Sequence, residues 1–123
     1  MKERFKFRVW DSSANAYVPR SQFILLSDGT LIQEIGGEEV IWESTEPEFC
    51  TGLKDKNGKL IYEGDILDNI SIDEQYEVKW DEDTARFCCI TDNEIYDFDN
   101  FDVTAFEILG NIHENADLLE NEE

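Results

Sequence analysis

The stretch from Thr51 to Ile66, T-G-L-K-D-K-N-G-K-L-I-Y-E-G-D-I, decides the fold of this chain. It places Asn57-Gly58 between two extended runs, the second of which is Leu60–Tyr62. Asn-Gly in that position predicts a hairpin with a type I′ turn, because this turn needs positive φ at both central residues. Gly64 predicts a kink or a close backbone approach before the next strand. We therefore expect the segment to be architecture: a hairpin, a return strand and the entry into a small barrel.

The rest of the chain consists of short strand-like segments separated by tight turns. Phe5–Trp10 alternates strictly and predicts one half-buried strand with Arg8 and Trp10 on its charged face. Tyr76–Trp80 alternates in the same way, and Tyr76, Val78 and Trp80 are predicted to point inward. Asn115 is placed to cap one short helix over Ala116–Leu119. Short strands with frequent turns predict a β-dominated protein, either a small barrel or a sandwich.

The length of 123 residues suits one domain, or one small domain with an appended subdomain. The polar segment Ser44–Glu48 contains Pro47 and is the best candidate for a boundary. We expect an N-terminal β subdomain over residues 1–46 and a barrel with a short terminal helix over residues 47–123. Aromatic residues make up 12% of the chain, which predicts a real hydrophobic core.

The formal net charge of -20 is extreme for this size. It argues against direct binding to nucleic acid or to anionic membrane surfaces, both of which require basic protein surface. From Asp81 onward the chain has 14 acidic residues and one basic residue, Arg86. This acidic third has two interpretations: a solvated surface that favours solubility, or a mimic of DNA that occupies a host protein's DNA-binding groove.

Cysteine usage predicts reduced thiols. Cys50, Cys88 and Cys89 are odd in number and form no C-x-x-C motif, and adjacent cysteines in a strand point to opposite faces. The N-terminus has no apolar signal-like region, and no apolar run approaches the length of a membrane span. We therefore expect a soluble protein in the cytoplasm.

Carboxylates near the opening stretch are the first candidates for chemistry. Glu63 and Asp65 flank Gly64, and Asp55 lies upstream. They could form an acid–base pair or hold a hard cation, which would make the chain a metal-dependent enzyme. Alternatively, they accept backbone N–H bonds at tight turns. The second interpretation is favoured because no nucleophile or histidine lies near them in the sequence.

The remaining polar motifs do not predict a metal or a cofactor. Asp97-x-Asp99-x-x-Asp102 lacks the central glycine and final glutamate of a calcium-binding loop. His113 is the only histidine, and Cys88 and Cys89 cannot easily converge with it on zinc. Ser12-Ser13 has no visible His–Asp partnership, so a hydrolase triad is not expected. We predict no catalytic residue and no cofactor.

Aromatic residues and charges provide the candidate binding residues. Trp10 shares the charged face of its strand with Arg8, whereas Trp80 is expected in the core. Small barrels use exposed aromatic residues to hold extended peptides. The candidate binding set combines the basic, Trp-bearing face of the first strand with the acidic third, and comprises Arg8, Trp10, Tyr62, Asp97, Asp99 and Asp102.

Thr51–Ile66 resembles the YopX family of bacteriophages and prophages. Phe7-Arg8-Val9-Trp10-Asp11 is similar to the family's opening F-R-x-W-D, and Val78-Lys79-Trp80 to its V-x-W strand. Ile108 to Asn115, I-L-G-N-I-H-E-N, resembles its closing I-G-N-I-x-E-N. Cys50 stands where an aromatic residue usually precedes Thr-Gly, and Ala116 where a proline usually follows Glu-Asn. The resemblance spans nearly the whole chain in the expected order.

The resemblance implies a β fold with an SH3-like barrel, and a phage or prophage origin in a bacterial cytoplasm. It implies no activity, because the family has no established biochemical function. We expect a non-enzymatic module that binds an unidentified host or phage protein. Self-association through the N-terminal strands is also expected, since open edge strands can pair with another chain. The acidic DNA mimic and the metal-dependent enzyme using Glu63 and Asp65 remain the alternatives.

Overall fold

The structure is a computed structural model that describes residues 2–19, 22–91, 94–98 and 102–119. It is mainly β, as the sequence predicts. The described residues form the strands β1 Phe7–Arg8, β2 Trp10–Asp11, β3 Ala16–Tyr17, β4 Phe23–Leu25, β5 Leu31–Ile35, β6 Glu38–Ile41, β7 Glu48–Lys54, β8 Leu60–Tyr62, β9 Asp65–Asn69, β10 Glu74–Asp81, β11 Arg86–Thr91, β12 Glu94–Asp97 and β13 Glu107–Asn111. They also form short 3-10 helices over Lys2–Phe5, Val103–Ala105 and Ala116–Leu119. Within the described residues, no helix has the length and apolar character needed to cross a membrane.

The chain divides into two compact units. Phe7–Glu48 form one unit, and Met1–Lys6 with Phe49–Glu123 form the other. The first six residues therefore group with the C-terminal part of the chain, because the N–H of Cys50 donates to the carbonyl of Lys6 at 2.9 Å. The division into domains at residues 46 and 47 stays a prediction.

The unit Phe7–Glu48 contains two small antiparallel sheets. β2 pairs with β3, with Trp10 opposite Tyr17 and Asp11 opposite Ala16. β4, β5 and β6 form a three-stranded meander. The turn between β5 and β6 is Gly36-Gly37, and both glycines have positive φ, +58° and +85°. This is the type I′ geometry that closes a two-residue hairpin.

The second unit contains an antiparallel sheet of five strands in the order β12-β11-β10-β9-β13. This sheet is open, with β12 and β13 at its edges, and none of the sheets formed by the described residues closes into a barrel. β7 and β8 form the predicted hairpin, with Cys50 opposite Tyr62 and Lys54 opposite Leu60.

The buried cluster around Tyr76 lies on one face of the five-stranded sheet. Tyr76 and Val78 are buried there as predicted, and the ring of Tyr76 stacks on Phe106 with centroids 5.7 Å apart. Cys89 belongs to the same core, whereas its neighbour Cys88 lies on the other face of β11, as the alternation predicts. Burial raises the pKa of the Cys89 thiol to about 12, so this thiol stays protonated.

The predicted single strand over Phe5–Trp10 is wrong. Residues 2–5 form a 3-10 helix, and Phe5 is 70% exposed. The strand that follows is split into β1 and β2 at the buried Val9, whose carbonyl accepts the N–H of Val18. Alternation in six residues predicts extended backbone, but it does not show where the chain leaves one strand partner for another.

The placement of Trp80 in the core is also wrong, because the side chain is 42% exposed. Trp80 lies at the far end of β10, opposite Phe87, and the two rings meet edge to face at 5.1 Å. The turn after this pair includes Ala85, which has a φ of 58°. The alternation of β10 is therefore correct, but the core ends before the strand does.

The turn at Asn57-Gly58 is not of type I′. Gly58 has a φ of +85°, whereas Asn57 is not among the described residues with positive φ. The N–H of Gly58 donates to the carbonyl of Asp55 at 3.0 Å, which makes a four-residue turn beginning at Asp55. A turn of this kind needs positive φ only at its last position, and glycine occupies that position.

The end of β13 is built around the closing motif. The side-chain oxygen of Asn111 accepts the N–H groups of His113 and Glu114, each at 3.0 Å. Its amide nitrogen donates to Glu114 Oε1 at 2.9 Å. The side chain of Asn115 accepts the N–H of Asn111 at 3.2 Å, in place of the helix cap predicted for it. The predicted short helix follows as a 3-10 turn.

Position 110 requires glycine because the side chain of Asn115 occupies the space that a Cβ would fill. A Cβ added to Gly110 would lie 2.5 Å from Cγ of Asn115 and 3.0 Å from its Cβ. Ile108 and Gly110 pair with Leu67 and Ile66, so the register shifts between them as in a β-bulge.

We predict that Gly110→Ala lowers the free energy of unfolding by about 1–3 kcal/mol through overpacking. Urea unfolding monitored by circular dichroism measures the loss. In the double variant Gly110→Ala/Asn115→Ala the conflict with the Asn115 side chain beyond Cβ is removed, so the cost of the first substitution should shrink in the background of the second. Strictly additive costs would contradict the contact between these two residues.

Candidate functional site

The carboxylate of Asp55 is used within the fold. Its Oδ1 accepts the N–H groups of Asn57 and Lys59, each at 2.9 Å, inside the turn between β7 and β8. Its Oδ2 accepts the N–H of Ile108 at 3.0 Å, which lies 53 residues further along the chain in β13. The N–H of Lys56 also donates to the carbonyl of Phe106 at 2.9 Å. Asp55 therefore connects the turn of the opening stretch to the last strand.

Asp55 is charged in this position although it is only 4% exposed. Burial by itself raises the pKa of this carboxyl, but the three backbone N–H donors outweigh burial and leave the pKa below its ordinary value. A buried carboxylate with three donors has little remaining capacity for a metal or a substrate. Its role is structural, which is the interpretation favoured from the sequence.

Gly64 and Asp65 have the same structural character. The N–H of Gly64 donates to Val78 at 2.8 Å, and its carbonyl accepts the N–H of Ile112 at 2.9 Å. Three strands thus approach one backbone position, which agrees with the predicted close approach. Asp65 is 3% exposed, and its Oδ2 accepts the N–H of Tyr62 at 2.7 Å. Among the described residues, no group of three or more His, Cys, Asp or Glu side chains could hold a metal ion.

Arg8 and Trp10, two of the predicted binding residues, meet around Tyr17. The guanidinium of Arg8 lies 4.5 Å from the centroid of the Tyr17 ring, and Trp10 contacts that ring edge to face at 5.0 Å. Arg8 Nε and the hydroxyl of Tyr17 both donate to Glu48 Oε1, at 2.8 and 2.9 Å. We call these four residues the Tyr17 cluster. Their side chains are half-buried and mutually satisfied, and Glu48 and Tyr17 were not singled out by the sequence.

The other predicted binding residues have separate local contacts, and their grouping into one site stays a prediction. Tyr62 is half-buried at the end of β8. Asp97 accepts a hydrogen bond from Arg86 Nη2 at 2.7 Å, and Asp102 accepts one from the hydroxyl of Thr104. Asp99 lies outside the described residues. Asp97 and Asp102 thus bond to side chains close to them.

The meander of β4, β5 and β6 exposes apolar side chains that the sequence did not single out. Ile24, Ile32 and Ile41 occupy directly opposed positions across the three strands. The two outer isoleucines are 42% and 55% exposed, and Ile32 between them is 9% exposed. Further exposed apolar side chains on the same meander and its turn are Leu25, Leu26, Ile35 and Val40. The signal available in the sequence was apolar residues at successive positions, without the polar alternation of a half-buried strand.

We predict that Asp55→Asn destabilises the protein by about 1–3 kcal/mol at pH 7, because one charged acceptor of three N–H groups is lost. The lowered pKa of Asp55 makes its contribution present above the unfolded-state pKa of about 3.9 and lost as pH falls through the lower folded-state value. Urea unfolding at pH 7 and pH 3 should therefore show a difference between wild type and variant that shrinks at pH 3.

Asp28→Asn is the matched control for this experiment. Asp28 also accepts a backbone N–H, that of Thr30 at 3.0 Å, but it lies exposed in a hairpin turn. Its substitution should affect stability less than that of Asp55. Equal effects of the two substitutions would contradict the structural role of Asp55.

We predict that Tyr17→Phe costs about 0.5–1.5 kcal/mol of stability, because the ring is kept and the hydrogen bond to Glu48 is removed. The measurement is a double-mutant cycle with Glu48→Ala, by urea unfolding, since alanine has no side-chain oxygen to accept the Tyr17 hydroxyl. The coupling between the two positions should be positive. A cycle with no coupling would contradict the hydrogen bond at the centre of the Tyr17 cluster.

Comparison with known proteins finds a family match over most of the chain. The sequence profile of a family described as "YopX protein" matches residues 6–120. Two solved structures are similar: protein EF1440 from Enterococcus faecalis, at 25% identity and a TM-score of 0.59, and protein yopX from Bacillus subtilis, at 21% identity and a TM-score of 0.60. The alignments cover 94% of this chain and 97% of the first protein, and 95% of this chain and 99% of the second. No curated protein matched the chain.

The match accounts for the motifs described above. The Thr51–Ile66 stretch and the closing Gly110-Asn111 motif are positions where backbone hydrogen bonds and close contacts demand particular residues. The resemblance of these motifs to one family is confirmed by the profile over residues 6–120. This chain belongs to the YopX family.

Proposed function

We propose that this chain is a non-enzymatic protein-binding module of phage or prophage origin, acting in a bacterial cytoplasm. One observation carries the proposal: the exposed isoleucines and other apolar side chains on the meander of β4, β5 and β6. Ile24 and Ile41 lie on the same face of the meander. Exposed apolar surface marks interaction sites in soluble proteins, because burying it against a partner is favourable by about 25 cal/mol per Å².

The binding surface is assigned to the meander because the motif carboxylates already serve the fold. Asp55 and Asp65 accept backbone N–H groups and are nearly fully buried. The Tyr17 cluster is internally bonded as well, so Arg8 and Trp10 support the unit from within. Ile24 of β4 and Val40 and Ile41 of β6 are exposed by 42%, 44% and 55%, so their side chains are available to a partner.

The SH3-like barrel of residues 47–123 is retained as part of the proposal. It is supported by the succession of five short antiparallel strands and by Ile61 of β8, which joins the same core as Leu67 and Val78. In this arrangement the β7–β8 hairpin would complete the five-stranded sheet as a partly open barrel.

We predict that the double variant Ile24→Lys/Ile41→Lys loses the binding partner that wild type captures from bacterial lysate. Captured proteins are quantified by mass spectrometry at low and at raised salt, and sedimentation velocity reports self-association of the purified chain. Partners that depend on apolar burial should persist at raised salt with wild type, because salt screens exposed charges only. Their recovery should fall at least tenfold with the double variant.

Ile95→Lys is the matched control, because Ile95 is also an exposed isoleucine, at 57%, but lies on β12 in the other unit. It should leave capture and sedimentation unchanged. If the double variant captured the same proteins as wild type and sedimented identically, the meander would not be the binding surface and the proposal would fall.

A further inference from the structure

The outer edge of β6 is open to another strand. β6 lies at the edge of the meander and is hydrogen-bonded to β5 on one side. All four of its residues are exposed. Among the described residues, no backbone hydrogen bond from another strand reaches its outer side. An exposed strand edge of this kind is a template for pairing with an added strand.

The register identifies which backbone groups face outward. The two-residue turn at Gly36-Gly37 makes Ile35 and Glu38 a hydrogen-bonded pair, and such pairs alternate along an antiparallel ladder. The N–H of Trp42 donates to the carbonyl of Leu31 at 2.9 Å, which fixes the same alternation at the other end. Glu38 and Val40 therefore bond to β5, and the N–H and C=O groups of Glu39 and Ile41 point away from it.

The side chains along this edge have a definite order. In sequence β6 reads Glu38-Glu39-Val40-Ile41, so each face of the strand presents one carboxylate followed by one apolar side chain. Val40 and Ile41 are 44% and 55% exposed. Opposite charges and apolar pairs directly across from each other stabilise a strand pair, whereas a mismatch does not.

We infer that β6 binds an extended segment of a partner protein in which two adjacent apolar residues are followed by two adjacent basic residues. In an antiparallel arrangement the apolar pair lies opposite Ile41 and Val40, and the basic pair lies opposite Glu39 and Glu38. The inference rests on the proposed function and names the partner's chemistry and its mode of binding.

A second copy of the chain fits this edge poorly. Only the backbone groups of Glu39 and Ile41 point outward, so a twofold pairing of β6 centred on Val40 sets Glu39 of each copy opposite Ile41 of the other, and one centred on Glu39 sets two carboxylates opposite each other. Residues 7–48 hold eight acidic and two basic residues, and the whole chain carries a net charge of -20. Self-association would bring these like charges together, whereas a basic segment is attracted by them.

The test uses two fluorescein-labelled peptides of equal composition, measured by fluorescence anisotropy with the full chain. The probe contains Val-Ile-Lys-Lys between serine and threonine flanks, and the control contains Lys-Val-Lys-Ile between the same flanks. In the control, no register places both lysines opposite glutamates. We expect the probe to bind about tenfold more tightly at low salt, given four matched cross-strand pairs against two. Equal affinities would overturn the inference.

Variants of β6 separate strand addition from general attraction to an acidic protein. Glu39→Pro removes an outward N–H without removing a bond to β5, and should weaken probe binding at least tenfold. Glu38→Lys/Glu39→Lys should reverse the preference towards a peptide containing Val-Ile-Glu-Glu. The control Glu82→Lys/Asp83→Lys makes the same change in charge at an exposed turn of the other unit and should leave the ratio of the two peptides unchanged.

The outcomes distinguish this inference from the proposed function. If Ile24→Lys/Ile41→Lys abolishes capture from lysate while Glu39→Pro retains it and the two peptides bind equally, the meander is a binding surface but β6 does not accept a strand. If neither variant affects capture, both proposals fall. Concentration-dependent dimers of wild type that Glu39→Pro dissolves would show that a second copy occupies the edge, and would also overturn the inference.

Discussion

The hydrogen bonds accepted by the buried carboxylate of Asp55 are the constraint on which the larger unit depends. This one side chain holds its own turn in shape and accepts the N–H of Ile108 from the last strand. The two residues are 53 positions apart, so this hydrogen bond connects the turn of the β7–β8 hairpin to β13. Without these donors a buried carboxylate would cost free energy. With them it fixes the position of the turn relative to the sheet.

The motifs that characterise the family have a similar role, because they satisfy backbone hydrogen-bonding groups or leave space for a neighbouring side chain. Gly64 receives and donates backbone hydrogen bonds at the junction of three segments, and Asn111 satisfies the N–H groups of the turn that follows β13. Gly110 has no side chain because Asn115 occupies the space. Such residues are specified by the fold, and their presence in a sequence is therefore evidence of architecture more than of chemistry.

The proposed binding function lies on the meander, which contains none of these motifs. The meander of β4, β5 and β6 has an open edge and exposed isoleucines, and its backbone and side chains carry no task within the described fold that would require that exposure. The Tyr17 cluster lies in the same unit and supplies internal polar contacts. The proposed binding mode combines a stable support with an open strand edge, and pre-organised strands lose little conformational entropy on pairing.

The sequence by itself determined the β class, the hairpins, the opposite faces of Cys88 and Cys89, and the family, because alternation and turn residues act locally. Tertiary structure decided the rest. It showed that Trp80 lies beyond the end of the core, that Phe5 belongs to a 3-10 helix, and that Asp55 reaches Ile108. The burial of a side chain and its long-range partners depend on which strands pair. A local sequence pattern does not specify that pairing. For the same reason, only the register of the meander revealed which groups of β6 face outward.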